Sequence, residues 1–157
     1  MSRGLLAAAE AHSYPRPPMF GRCLVVIPTY NEALNILPLA EAVLASHPSL
    51  TVLVVDDASP DGTGDLVAEA GRSEPRLQLL RRPGKLGLGT AYLAGFRHGL
   101  EAGFDRVLTM DGDFSHNPAH IPAILGGMDG HDMMIGSRYV AGGGVAHWPW
   151  PRRSRQT

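Results

Sequence analysis

Short apolar runs that each end in chemically active residues, with helix-like stretches between them, constrain this chain more than any other feature. Residues 23–27 (CLVVI), 51–55 (TVLVV), 106–110 and 133–135 run out into Pro28-Thr29-Tyr30-Asn31-Glu32, Asp56-Asp57, Asp111-Gly112-Asp113 and Gly136-Ser137-Arg138. A fifth run, residues 77–80, lacks such an ending. Near-continuous apolar strands belong to a sheet covered on both faces. Between them, Ile36, Leu37, Leu39, Ala40, Val43 and Leu44 recur at helical spacing, with Asn35 as cap and Pro38 in the first turn. A second helix is expected from near Thr63, with Asp65 in its first turn and Gly71 as its C′ residue. A third covers residues 90–100, burying Ala91, Leu93, Ala94 and Phe96. Pro118 opens a fourth over residues 121–125. The alternation predicts an α/β fold, an open and mostly parallel sheet with helices on both faces. The carboxyl ends of such strands open on one crevice, where these sheets bind ligands.

Composition narrows the class. At 157 residues and 44% hydrophobic, the chain suits one domain with a real core. Lys+Arg 14 against Asp+Glu 15 removes the electrostatic reason to expect nucleic acid as a partner. A single cysteine, Cys23, cannot pair within the chain, which points to a reduced, intracellular setting. The apolar runs are too short to span a bilayer. Residues 1–20 read as a flexible extension and residues 21–141 as the folded domain. Residues 142–157 read as a glycine-rich tail carrying Trp148, Trp150, Arg152, Arg153 and Arg155.

The crevice gathers carboxylates, a phenol (Tyr30) and a guanidinium (Arg138). Carboxylates without matching cations repel, so a divalent metal is the natural neutraliser. Gly112 between Asp111 and Asp113 lets the backbone turn and bring both acids toward one ion. An all-oxygen site favours Mg²⁺ or Mn²⁺ with open positions for substrate phosphates, hence a nucleoside diphosphate. Taken singly, each element has a plainer reading. Asp56-Asp57 before Ser59-Pro60-Asp61-Gly62-Thr63 is equally a helix-capping turn. Tyr30 is compatible with a core aromatic, and Arg138 with a solvated strand end. A calcium loop at Asp111 fails, because its twelfth position is Pro122. His116 and His120 are separated by Asn117-Pro118 and read as surface residues at a helix start.

Gly84-Lys85-Leu86-Gly87-Leu88-Gly89 matches neither common phosphate motif. Tyr92 stands where a dinucleotide fingerprint needs its third glycine, and Leu86 follows Lys85 where a P-loop needs Ser or Thr. A glycine loop with one lysine, opening a helix, still suits a phosphate or a lid. It equally suits an ordinary flexible loop.

Val26 to Glu32, Val54 to Thr63, Gly84 to Tyr92, Met110 to Pro118 and Gly136 to Tyr139, in that order, resemble the family-2 glycosyltransferases of GT-A fold. Within them they resemble the dolichol- or polyprenol-phosphate mannosyltransferases, over about residues 22 to 150. That resemblance implies transfer of mannose from GDP-mannose to a polyprenyl or dolichyl phosphate, with inversion and a divalent metal, Mg²⁺ or Mn²⁺. Glucose- and GlcNAc-transferring relatives share most of these motifs. Pro28, Tyr30, Glu32, Val55 and Asp57 would hold the nucleoside. Asp111 and Asp113 would form the metal-binding acid pair, Asp113 the more direct ligand, with Gly112 lining the same pocket. Lys85 would join the substrate-binding set, and Arg138 would grip the diphosphate or the acceptor phosphate. Asp113 and Arg138 are thus the expected catalytic residues. The resemblance further implies a peripheral position at the cytosolic face of a membrane and leaves room for a membrane-anchored protein partner. The family's acceptor-binding loop, amphipathic helix and Asp-Pro-Thr-Ser-Gly-Phe-Arg stretch have no counterpart here. A donor half without the usual C-terminal part is therefore expected, and a nucleotide-sugar-binding fragment that cannot transfer is the alternative.

Overall fold

The computed structural model describes residues 21–137 and residue 139. Four strands, β1 (Cys23–Thr29), β2 (Leu50–Asp56), β3 (Leu77–Arg81) and β4 (Arg106–Thr109), form one sheet in the order β3-β2-β1-β4. All neighbours are parallel, and Cys23 pairs with Leu50 as Thr29 pairs with Asp56, so β1 and β2 end level. The helices between them are α1 (Ile36–Ser46), α2 (Thr63–Ala70) and α3 (Leu88–Glu101). Leu24 and Val26 of β1 and Leu53 and Val55 of β2 cluster with Ala91 of α3. Side chains alternate across a strand, so Val25, Ile27, Val52 and Val54 face the other way. All four are fully buried, on the face where α1 and α2 pack. The faces follow from the topology: two right-handed crossovers run outward from β1 to β3, and the third returns past β1 to β4.

β1 continues through Pro28 to Thr29 rather than stopping at the proline. Pairing with β4 ends at Val26, so the missing N–H of Pro28 costs no ladder bond. In α3 the buried residues are Ala91, Gly95 and Gly99. Leu93, expected in the core, is 60% exposed, and Phe96 is 38% exposed. The helix lies so close to the sheet that a Cβ on Gly95 would collide with Val26, and one on Gly99 would stand 2.9 Å from Val107. Close approach selects small residues for the inner stripe and turns the large ones outward. Gly71 ends α2 in right-handed geometry, φ −63°, not the left-handed form expected of a C′ glycine. Its need for glycine is spatial, since a Cβ there would stand 2.8 Å from the Leu77 carbonyl. Asn35 occupies the N-cap of α1 but its side chain makes no cap bond; its amide donates to Glu32 Oε2 at 2.8 Å.

The described residues divide into two compact units at residue 119. A 3₁₀ turn (Pro118–His120) spans that boundary, and in the second unit α4 (Ile121–Gly127) follows, with Gly127 against Met134. The fifth strand expected at residues 133–135 is not formed. Met133, Met134 and Ile135 join no ladder and are 74%, 43% and 76% exposed. An apolar run becomes a strand only where a neighbouring edge accepts its N–H and C=O groups, and the described sheet does not pair with it.

Candidate functional site

The strand order reverses at β1, with β2 on one side and β4 on the other. The loops after β1, β2, β3 and β4 all leave the carboxyl edge of the first unit, the position at which open α/β sheets bind ligands. Three non-glycine residues with left-handed backbone, Asn31 (φ 63°), Ala58 (φ 55°) and Phe114 (φ 60°), all lie in these loops. Strained conformations of this kind concentrate at functional sites.

The first two loops brace one another. Thr29 Oγ1 donates to Asp56 Oδ1 at 3.0 Å, and Asn31 N–H donates to Ser59 Oγ at 3.1 Å. Glu32 N–H donates to Thr63 Oγ1 at 3.0 Å, and Ala33 N–H to Asp61 Oδ2 at 3.0 Å. Asp56, only 1% exposed, also accepts Ser59 N–H at 3.1 Å and Ser59 Oγ at 2.5 Å. Asp56 therefore holds the turn but does not cap α2; the Thr63 N–H at the start of that helix goes to Asp61 Oδ1 at 3.0 Å. Thr63 donates to Asp61, and that bond, ahead of the Ala33 N–H, holds the Asp61 carboxyl below the usual range. Asp57 is different: it is buried beside Arg82, whose Nε lies 3.3 Å from Asp57 Oδ1. Val55 is fully buried in the core cluster, and Pro28 is half-buried at the end of β1.

Tyr30 is 40% exposed at the edge, not a core aromatic. The Nζ of Lys85 stands 4.3 Å from the centroid of its ring, a cation–π contact that brings the glycine-rich segment to the β1 loop. Gly87, with φ 96°, is the N-cap of α3 and makes the turn into that helix.

After β4, Met110 N–H closes onto the Val26 carbonyl, and the chain enters Asp111-Gly112-Asp113. Gly112 is buried against the β1 loop, where a Cβ would stand 3.4 Å from Glu32 Cγ and 3.6 Å from the Pro28 carbonyl. The left-handed residue of this turn is Phe114, not Gly112. Asp111 Oδ1 accepts the Tyr92 hydroxyl at 3.1 Å, and Asp111 N–H donates to His116 Nδ1 at 3.1 Å. Burial first, and then the Asp111 charge, push the Tyr92 phenol up to about 12. His116 is exposed just before the 3₁₀ turn, as expected of a surface residue at a helix start, and it also closes the acid loop by accepting the Asp111 N–H. Asp113 is exposed, and its Oδ1 accepts Ser115 N–H at 2.9 Å. Ser115, by hydroxyl and then N–H, holds the Asp113 carboxyl below the usual range.

Asp111 and Asp113 offer oxygen donors only, one of them facing solvent, which suits Mg²⁺ or Mn²⁺. Among the described residues no three His, Cys, Asp or Glu side chains gather to hold an ion. Among the described residues the two acids supply no full coordination shell, which leaves positions open for substrate phosphates. Contrary to the expectation of unmatched crevice carboxylates, Asp57 is faced by Arg82, so only Asp111 and Asp113 call for a metal. Arg138, Trp148 and Trp150 lie outside the described residues.

Sequence reasoning missed Arg82, Tyr92 and His116. Arg82 was within reach of the strand-end argument, because it follows β3 at the same edge as the residues singled out after the other strands.

A parallel α/β domain with its candidate site residues at the carboxyl edge defines a class, and comparison with known proteins gives the family. The chain belongs to glycosyl transferase family 2, whose model matches residues 24–157. It is 48% identical over 133 residues to the polyprenol monophosphomannose synthase of Mycolicibacterium smegmatis, covering 83% of this chain and 50% of that one. It is also 48% identical over 133 residues to the undecaprenyl-phosphate mannosyltransferase of Micrococcus luteus, covering 84% of this chain and 54% of the relative. The chain thus spans about half the length of these relatives. Among solved structures it is similar to the mannosyltransferase PcManGT of Pyrobaculum calidifontis in complex with GDP-Man and Mn²⁺. That match has a TM-score of 0.50 and 31% identity, over 59% of this chain and 28% of the other. Staphylococcus aureus TarS residues 1–349 match with a TM-score of 0.55 and 25% identity, over 69% of this chain and 32% of that one. The fold class expected from the sequence, a parallel GT-A-type sheet with helices, is the one observed.

Proposed function

We propose that this chain carries the nucleotide-sugar site of an enzyme that transfers mannose from GDP-mannose to a polyprenyl phosphate, inverting the anomeric centre. The observation that carries the reading is the seating of the Asp111-Gly112-Asp113 turn against the Pro28–Glu32 loop, in a chain whose relatives bear mannosyltransferase names. Pro28, Tyr30, Glu32, Val55 and Asp57 form the nucleoside side of the site, with Gly112 and Lys85 toward the diphosphate. Asp113, with Asp111 beside it, would hold Mg²⁺ or Mn²⁺. Such an ion, when bound, offsets the charge that builds on the departing diphosphate. Arg138 grips the diphosphate or the acceptor phosphate and acts on the same charge. The acceptor oxygen is already anionic, so no side chain need remove a proton, and direct displacement yields a β-linked sugar phosphate. Among the described residues no helix is long and apolar enough to cross a membrane. In this reading the lipid is met at the membrane surface, at the cytosolic face, with Trp148, Trp150 and the neighbouring arginines offered to anionic headgroups. A membrane-anchored protein partner is compatible with this arrangement.

The test is transfer of labelled mannose from GDP-mannose to a polyprenyl phosphate in vesicles, by the 157-residue chain with and without Mn²⁺. Metal-dependent product that disappears in Asp113→Asn supports the reading. The alternative is donor binding without transfer. GDP-mannose binding with no product in the same assay would select it.

A further inference from the structure

The Asp57–Arg82 pair is built for more than holding the fold. Both side chains are buried, 9% and 8% exposed, yet the 3.3 Å approach of Arg82 Nε to Asp57 Oδ1 is not a hydrogen bond. Asp57 Oδ1 and Arg82 Nη1 are both buried with no hydrogen-bond partner. Charges taken out of water with donors and acceptors left unused are a poor stabilising device, and apolar residues would serve the fold better. Nor is the pair needed to tie the loops, because Asp56 next door already binds Thr29 and Ser59.

The guanidinium is nevertheless firmly placed. Arg82 N–H donates to the Asp56 carbonyl at 2.8 Å, and Arg82 Nη2 donates to Thr90 Oγ1 at 2.6 Å. Thr90 Oγ1 in turn donates to the Gly87 carbonyl at 2.7 Å, in the turn that starts α3. Arg82 is thus fixed on the α3 side and presents its charge to Asp57 on the other. A carboxylate held this way, at the level end of β1 and β2, turns its buried Oδ1 to Arg82 and leaves Oδ2 for something that arrives with N–H donors. The Watson–Crick edge of guanine, with N1–H beside its exocyclic amine, offers two in line.

We propose that Arg82 is a positioning residue for nucleobase recognition: it holds the Asp57 carboxylate in the orientation that accepts the N–H donors of a guanine. The inference deepens the donor-site reading and rests on it. Arg82 acts through Asp57, and Thr90 links both to the segment carrying Lys85.

The experiment is a calorimetric titration of the 157-residue chain with GDP and with inosine diphosphate, which lacks the exocyclic amine, both in EDTA. Wild type, Arg82→Met, Arg82→Lys, Asp57→Asn and the double variant Asp57→Asn/Arg82→Met are compared. Arg82→Met is expected to weaken GDP binding by about tenfold, the scale of one charge-assisted hydrogen bond. The preference for GDP over inosine diphosphate should fall with it, and Arg82→Lys should recover part of both. In the Asp57→Asn background, Arg82→Met should add less than about a twofold loss, because a residue acting through another has nothing left to act on. Arg82→Met with wild-type affinity and preference would overturn the proposal, as would an undiminished loss in the Asp57→Asn background. If Arg82→Met alone does not fold, the double variant decides: affinity equal to that of Asp57→Asn supports the proposal, and a further tenfold loss overturns it. A wild-type chain that binds neither nucleotide under these conditions or with Mn²⁺ would instead overturn the donor-site reading, and the proposal with it.

Discussion

The two sides of the carboxyl edge are built in opposite ways. On the β1–β2 side, backbone donors of one loop are taken by Ser59, Asp61 and Thr63 of the next, and Asp56 and Asp57 are buried. On the β4 side, Asp113 is exposed and Asp111 is steadied by one phenol and one imidazole, with an acid side chain 45% exposed. The first side is braced before any ligand arrives, with only the Asp57–Arg82 pair left short of hydrogen bonds. The second is a set of oxygen donors still short of partners. A braced pair of loops beside an open acid loop fits a ligand whose one end is recognised by shape and hydrogen bonds and whose other end brings charge and a metal.

This contrast can be broken by substitution. Asp56→Ala strikes the braced side, leaving Thr29 and Ser59 without their buried acceptor. It should lower unfolding stability by about 3 kcal/mol in a denaturant titration. A loss below about 1 kcal/mol would mean that the bracing is cosmetic. Asp113→Asn strikes the open side and should do the reverse. Mn²⁺-dependent GDP affinity should fall by about a hundredfold, equivalent to about 2.7 kcal/mol, while the metal-free melt stays put. An unchanged affinity would sink the metal assignment. Thr63→Val removes the acceptor of the Glu32 N–H and should destabilise by about 1–2 kcal/mol, with nucleotide affinity falling in both the presence and the absence of metal.

Tyr92→Phe gives the smallest change, about 1 kcal/mol from one neutral-to-charged hydrogen bond. Its sign with pH is set by the raised phenol. Tyr92 is held protonated up to about 12 in the folded chain, so the contribution is fully present below the ordinary tyrosine value and is lost as pH rises from there toward 12. Wild type and Tyr92→Phe melts should therefore converge between those limits and stay parallel below them.

Most of the framework was legible because it depends on local pattern. Apolar runs and their polar endings located β1, β2, β3 and β4, and they located the edge at which the active residues meet. What depends on how closely elements approach was not legible. The inner stripe of α3 proved to be Ala91, Gly95 and Gly99, because the distance to Val26 and Val107 decides it and periodicity alone favours the larger Leu93 and Phe96. Residues 133–135 have a strand's composition, but a strand also requires a neighbour. In the site, Asp111, Gly112, Asp113 and Asp57 could be named from their place at strand ends. The roles of Arg82, Tyr92 and His116 could not, since each is defined by a partner on a different element. Nor could the left-handed position near the acid pair be read: a glycine invites it, yet Phe114, after both acids, carries the positive φ.

The central claim is that the carboxyl edge of the first unit is a nucleotide-sugar site with a recognised base and a metal-dependent diphosphate. Thermal melts of the 157-residue chain with GDP-mannose, UDP-glucose and UDP-GlcNAc, each with and without Mn²⁺, test it most directly. A ligand at a hundred times its Kd stabilises by about 2.7 kcal/mol, a shift easily seen. The expected result is a shift with GDP-mannose that grows when Mn²⁺ is added and is absent with the uridine sugars. A cooperative melt that no donor moves, with or without Mn²⁺, would contradict it.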